Sequence, residues 1–283
     1  MSFNLVLNSS NVIGNNNNTY QYNFTTNSFK IEKGDEVCLS SVCIPYSWFN
    51  VTTLNNNKSF RFYFPTGSST YNTYNITLPD GFYSVNDINF YLQQFCITNG
   101  LYLINSSGLN VYYLTMSYNQ NYYGVQVLEL LVPTSLPSGF TAPSNWVGYP
   151  TVSRTPYIEI LSNNTFGSII GFSAGNYGIN ATTDQSFLSN ITPNATPVNS
   201  LILRCNLVNN DVTFPSDILE SIPISNVSFG SNINYQPSYE RWVKLKEGLY
   251  TNFTVTLADQ NFNPIIARDS NSLFTLMIRR SKK

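Results

Sequence analysis

The side chains that could do chemistry are few. Among 283 residues there are 15 Asp or Glu, 14 Lys or Arg and no histidine. Without an imidazole there is no Ser-His-Asp or Cys-His machinery and no histidine general base, and nearly all zinc and non-haem iron sites are excluded. Carboxylate chemistry is what survives. Glu129 and Glu159 fall in strand-like stretches and could form a paired acid and base of the glycosidase kind, one protonating a leaving oxygen while the other attacks or activates water. Nothing in the sequence fixes their separation, and no sugar-binding pattern accompanies them. Asp80, Asp87 and Asp184 stand alone in turns or at a helix start, each with a local reason to be there. Gly171-Phe172-Ser173-Ala174-Gly175 superficially resembles a phosphate loop but lacks the Gly-Lys-Ser/Thr end, so it reads as a turn. No catalytic, cofactor or metal residue is assigned, and the chain reads as a non-enzyme.

Four cysteines, Cys38, Cys43, Cys96 and Cys205, show no C-x-x-C spacing and sit in apolar runs, as reduced core residues do. The start of the chain lacks the basic flank of a secretory signal, and no run reaches the ~20 apolar residues of a membrane span. Assembly in a reducing, cytoplasmic compartment is therefore expected. Hydrophobic content of 42% makes the chain globular, but charged residues are only 10%, against about 25% in an average domain. Asn, Ser and Thr replace them, and A/T-rich coding is a rival explanation for the Asn excess. A net charge of -1 steers weakly toward nucleic acid or anionic membrane and favours self-association.

The elements that must position these residues are mostly strands. At the C-terminus, 241–246, 253–257 and 274–278 alternate apolar and polar residues with period two, the pattern of strands with one face on a core. They have no adequate partner nearby. Equivalent alternation at 3–7, 20–24, 29–31, 60–64 and 74–78, and the doubly apolar run 36–44, lie at the other end of the chain. The two ends must pair, and a Greek-key double sheet of about eight strands does this. Ser84-Val85-Asn86-Asp87 opens the one convincing helix, with Val85, Ile88, Leu92 and Phe95 on one stripe and Asn99-Gly100 as its stop.

Between the two strand sets the texture changes: short strands near 101–104, 111–116, 125–132 and 158–160, with polar loops at 133–156 and 173–197. The expected class is all-β, a single jelly-roll β-sandwich built from 1–78 plus 198–283, carrying an inserted mostly-β domain of 79–197 that contains one helix. Long loops are usually binding or interface loops, so Trp146 and Tyr149 in 133–156 mark a possible exposed binding loop. Trp48 and Phe49 form an aromatic cluster at a strand end and are either a core plug or, with Trp242, part of a subunit interface. The basic end, Arg279, Arg280, Lys282 and Lys283, is either a solubilising terminus or an arm touching nucleic acid or a neighbouring subunit.

Four segments in order carry a resemblance: 76–84 leading into the helix, Ser168-Ile169-Ile170-Gly171-Phe172, then 197–205, and Asp259-Gln260-Asn261 before the last strand. Together they resemble the minor capsid (penton) proteins of virophages and related polinton-like viruses. That resemblance implies a structural virion protein: a single jelly roll with an outward-facing insertion. Five copies would form a homopentamer at each fivefold vertex of an icosahedral capsid whose faces are made by a double jelly-roll major capsid protein. It supplies no catalytic residues. The alternative is a carbohydrate- or receptor-binding jelly-roll module, in which Trp146 and Tyr149 meet a host glycan.

Overall fold

A computed structural model describes residues 2–26 and 28–281. The chain divides into two compact units, residues 1–48 with 198–283, and residues 49–197.

The first unit holds two five-stranded antiparallel sheets in which the chain ends partner each other. Ser2–Leu7 pairs with Leu273–Arg279, Leu5 opposite Leu276, and that last strand pairs in turn with Glu36–Pro45. Asn232–Tyr235 and Val243–Lys244 complete this sheet along Glu36–Pro45. The other runs in the order Ile218–Pro223, Ser200–Cys205, Asn252–Asp259, Thr19–Asn23, Val12–Ile13. Tyr20 of one sheet packs edge-on against Phe274 of the other at 4.7 Å, both fully buried. Between Thr275 and Leu276 the register slips. Ser40 is left as the extra residue of a bulge, and Cys38 and Leu39 are buried side by side.

Six strand residues were expected at 241–246, but only Val243–Lys244 pairs. The Leu245 N–H is drawn to Asp35 O and the Lys246 N–H to Leu207 O, which takes this segment off the sheet.

In the second unit Ser59–Pro65 lies between Tyr71–Thr77 and Tyr157–Ile160, with Gly175–Tyr177 beyond. The expected domain boundary at 78/79 thus falls inside this unit. Alternation at 60–64 announced a strand with one buried face but not its sheet, and Phe60, Phe62 and Phe64 point into the core shared with the helix. A second sheet is Leu114–Asn119, Gly124–Glu129 and Gln185–Leu188. The helix Val85–Thr98 starts as its capping box requires: the Asp87 N–H donates to Ser84 Oγ at 3.2 Å, and the Ser84 N–H returns to the Asp87 carboxylate at 2.8 Å. Val85, Ile88, Leu92 and Cys96 are its buried face.

One helix was expected in this part, and there are two. Phe166–Ile170 forms a second, short one where a turn was expected. A Cβ on Gly167 would collide with Phe172 O, so only glycine lets that backbone approach. The segment 173–197, expected as loop, contributes the short edge strands Gly175–Tyr177 and Gln185–Leu188, from which Tyr177 and Phe187 pack on the core.

Candidate functional site

The acids were the first candidates, and the structure gives each a local task. Asp80 accepts from Lys58 Nζ at 2.9 Å and from both the N–H and the hydroxyl of Thr53. The Lys58 ammonium first, then Thr53, lowers its pKa to about 2. Asp87 is the helix cap already described, and Asp184 accepts the Leu131 N–H at 2.8 Å.

Glu159 is held by Arg61 at 3.1 Å and by the Tyr63 hydroxyl, which donates to it at 2.6 Å. Glu129 is its opposite. It is completely buried, neither carboxyl oxygen has a hydrogen-bond partner among the described residues, and burial raises its pKa to about 9. At neutral pH it is an uncharged acid. The backbone lies directly on it: Gly178 has φ +91, and a Cβ there would overlap the Glu129 carboxyl. A carboxyl with no exposure cannot meet a glycosidic oxygen, so the two glutamates do not make a working pair.

Among the described residues no cluster of three metal-ligating side chains exists, and no helix is long and apolar enough to cross a membrane. All four cysteines are free thiols. Burial raises Cys96 to about 12 and, as the largest of several causes, Cys38 and Cys205 to about 11, which leaves these three unreactive.

The aromatic candidates separate by burial. Trp48 is inside, 5% exposed, with its ring 4.5 Å from Tyr46; Phe49 is half-buried. Trp242 is half-buried under the Arg279 guanidinium, 4.2 Å from its carbon to the ring, and its Nε1 donates to Glu240. Trp146 and Tyr149 are not displayed as expected. Both pack against the second unit's core, Trp146 edge-on to Phe64 at 5.9 Å and 5.3 Å from Tyr149. Their loop is tied to the helix end, since Asn145 Nδ2 donates to Ile97 O and Thr98 O and the Val147 N–H to Gly100 O.

The basic end is also committed internally. Arg279 pairs with Glu36 at 2.6 Å. Arg280 pairs at 2.6 Å with Asp35, an acid 1% exposed that also accepts the Glu32 and Ser281 N–H groups. Burial alone would raise the Asp35 pKa, but those backbone bonds and Arg280 outweigh it and lower it. Lys282 and Lys283 lie outside the described residues.

What the sequence did not mark is the loop 206–217, between Ser200–Cys205 and Ile218–Pro223. Phe214 is 95% exposed and Val212 91%. The loop that carries them is tightly bonded. The Asn210 N–H donates to Ser216 O at 2.7 Å, the Asn209 N–H to Lys244 O, the Val212 N–H to Asn210 Oδ1, and Arg204 holds Asp217 with both nitrogens at 2.9–3.1 Å. Beside it is a cavity of about 490 Å³ lined by Val212, Ile218, Ser221, Arg241, Trp242 and Lys244 among others. The only sequence signal was negative: two apolar residues inside Asn209-Asn210-Asp211 and Pro215-Ser216-Asp217, with no period that would bury them.

Solved structures similar to the chain include two from virophages. One is the penton protein of mavirus, in selenomethionine form, at 10% identity over 98% of both chains with a TM-score of 0.45. The other comes from the cryo-EM structure of the Sputnik virophage, at 11% identity over 98% of this chain and 97% of that one, with a TM-score of 0.39. No family model and no curated protein sequence matches.

Proposed function

We propose that the chain is a structural virion protein, a penton (minor capsid) subunit whose homopentamers close the fivefold vertices of an icosahedral capsid. The observation that carries this reading is the display of Phe214 and Val212, almost wholly exposed, on a loop fixed by its own hydrogen bonds. Two neighbouring apolar groups exposed together beside an apolar cavity offer a patch that a partner can cover, and ordering them in advance lowers the entropy cost of doing so at assembly. A net charge of -1 puts little repulsion between copies. The first unit acts as the jelly-roll base: its termini are drawn into one sheet and the buried Asp35 clamps the last strand. The second unit is the insertion, facing outward from the particle, and a double jelly-roll major capsid protein surrounds the vertex. Trp48, Phe49 and Trp242 were the first candidates for the subunit contact, and Trp242, on the cavity beside the exposed loop, is the one this reading uses.

Structural assembly needs no chemistry, in keeping with acids that are bonded locally or sealed in and thiols raised by burial. The glycan-binding alternative loses its platform, because Trp146 and Tyr149 are packed on the core. Contact with nucleic acid through the basic end loses Arg279 and Arg280 to Glu36 and Asp35. Free, mostly buried cysteines suit assembly in a reducing host cytoplasm before the protein enters the virion.

Negative-stain electron microscopy of the purified protein tests the proposal. Class averages with fivefold rotational symmetry are expected; particles of twofold or threefold symmetry would defeat it.

A further inference from the structure

The homopentamer leaves open what covers Phe214 and Val212. The neighbouring cavity, about 490 Å³, has room for a phenylalanine side chain. Its walls offer the indole of Trp242 and the side chains of Ile218 and Val212. Its charges are partly spent: Glu220, 3% exposed, is held by Arg241 at 2.8 Å, and Glu36 by Arg279. What remains exposed is Lys244 on the groove and Asp211 on the loop, 67% and 61% exposed, in an ion pair of 3.7 Å. A pair that open and that long contributes little, so both charges are available to another partner. An apolar knob flanked by an acid and an apolar groove flanked by a lysine are complementary, and one chain carries both.

We propose that Phe214 and Val212 of one copy seat in the Trp242 groove of the next copy around the ring, with Asp211 passing to that neighbour's Lys244. The proposal rests on the pentameric reading and specifies its contact. It is a heterologous, head-to-tail contact, the kind that closes rings. Because Asn209, Asn210, Asp211 and Val212 are themselves a wall of the groove, knob and groove lie side by side on each subunit. A rotation displaces a point in proportion to its distance from the axis. Adjacent knob and groove can therefore mate between neighbours only where that displacement is small, which sets the loop 206–217 beside the symmetry axis. One buried phenylalanine supplies roughly 150–250 Å², well short of the about 1,200–2,000 Å² of a stable two-body interface. The contact is thus the axial end of a larger flank interface, and each subunit makes it twice, once as knob and once as groove.

Sedimentation of the full chain over a range of concentrations tests this. Phe214→Asp removes the knob, with Val212→Asp as a second knob variant. Ser221→Trp fills the groove from an exposed rim position. Leu54→Asp, at a site 75% exposed in the other unit, is the control. Wild type and Leu54→Asp should form the ring, while the knob and groove variants should weaken assembly at least about tenfold, with unfolding midpoints unchanged when compared at concentrations where all are monomeric. Rings that persist in both knob variants, or in Ser221→Trp alone, overturn the contact and leave the pentamer standing. A wild-type chain that is monomeric at every concentration overturns it as well. A wild-type dimer defeats the pentamer, and the knob variants then still decide the contact.

Discussion

Two loops of this protein treat their aromatic residues in opposite ways. The one from 130 to 156 carries Trp146 and Tyr149, which looked exposed in sequence, and it packs both against its own unit's core while its Asn145 side chain caps the helix end. The one from 206 to 217 drew no notice in sequence and holds Phe214 in solvent. Both are well bonded, so the difference is not one of order. A loop's length and a tryptophan within it do not mark a binding surface; the candidate here is a pair of apolar groups left uncovered beside an apolar groove. The buried acids repeat the contrast. Asp35 is surrounded by Arg280 and two N–H donors, whereas Glu129 has no hydrogen-bond partner among the described residues and is protonated at neutral pH.

The largest effect expected from these contrasts is on folding. Trp146→Ala should cost the second unit about 3–5 kcal/mol, as large-to-small changes in cores do, read as a lower denaturant midpoint. A loss below 1 kcal/mol would return that loop to the surface.

Glu129→Gln comes next. With a folded pKa of about 9 against an ordinary 4.5, the folded chain holds a proton that the unfolded chain releases above pH 4.5. The wild type should therefore lose stability steadily as pH rises from 4.5 to about 9, at up to about 1.4 kcal/mol per unit. The amide has no proton to lose. Melting temperatures should be close at pH 4.5 and favour Glu129→Gln at pH 8; parallel curves would show that Glu129 is solvated.

Asp35→Asn is the mirror case, since the folded pKa is lowered below the ordinary 3.8. The carboxylate's contribution is full above pH 3.8 and lost as pH falls through its folded pKa. At pH 7 the substitution should cost about 1–3 kcal/mol, and the gap from wild type should close in acid. A gap independent of pH would remove the clamp as a charge effect.

The smallest effect on folding belongs to Phe214→Ala, which should leave the unfolding midpoint of the monomer within about 0.5 kcal/mol of wild type and yet cost assembly. That separation of stability from association is what distinguishes the two loops.

Period two in 3–7, 253–257 and 274–278 was enough to read strands at both ends and to require that they pair, and they do. The capping residues Ser84 and Asp87 fixed the helix start. Sheet membership was not legible, because alternation in 60–64 states that one face is buried without stating by what; the pairing of Phe62 with Ile158 is a long-range fact. Edge strands at 175–177 and 185–188 read as loop because they are short and sit among Asn, Ser and Thr, with Tyr177 and Phe187 as the apolar residues that reach the core. The candidate surface was the least legible part. Phe214 differs from a core phenylalanine only in lacking a covering neighbour, and neighbours are set by the fold.

The measurement closest to the central claim is the solution mass of wild type and Phe214→Ala by light scattering after size exclusion. Five times the 31.9 kDa chain is expected for wild type, and a much smaller, still folded species for the variant. Equal masses for the two proteins, or a wild-type dimer or trimer, would contradict it.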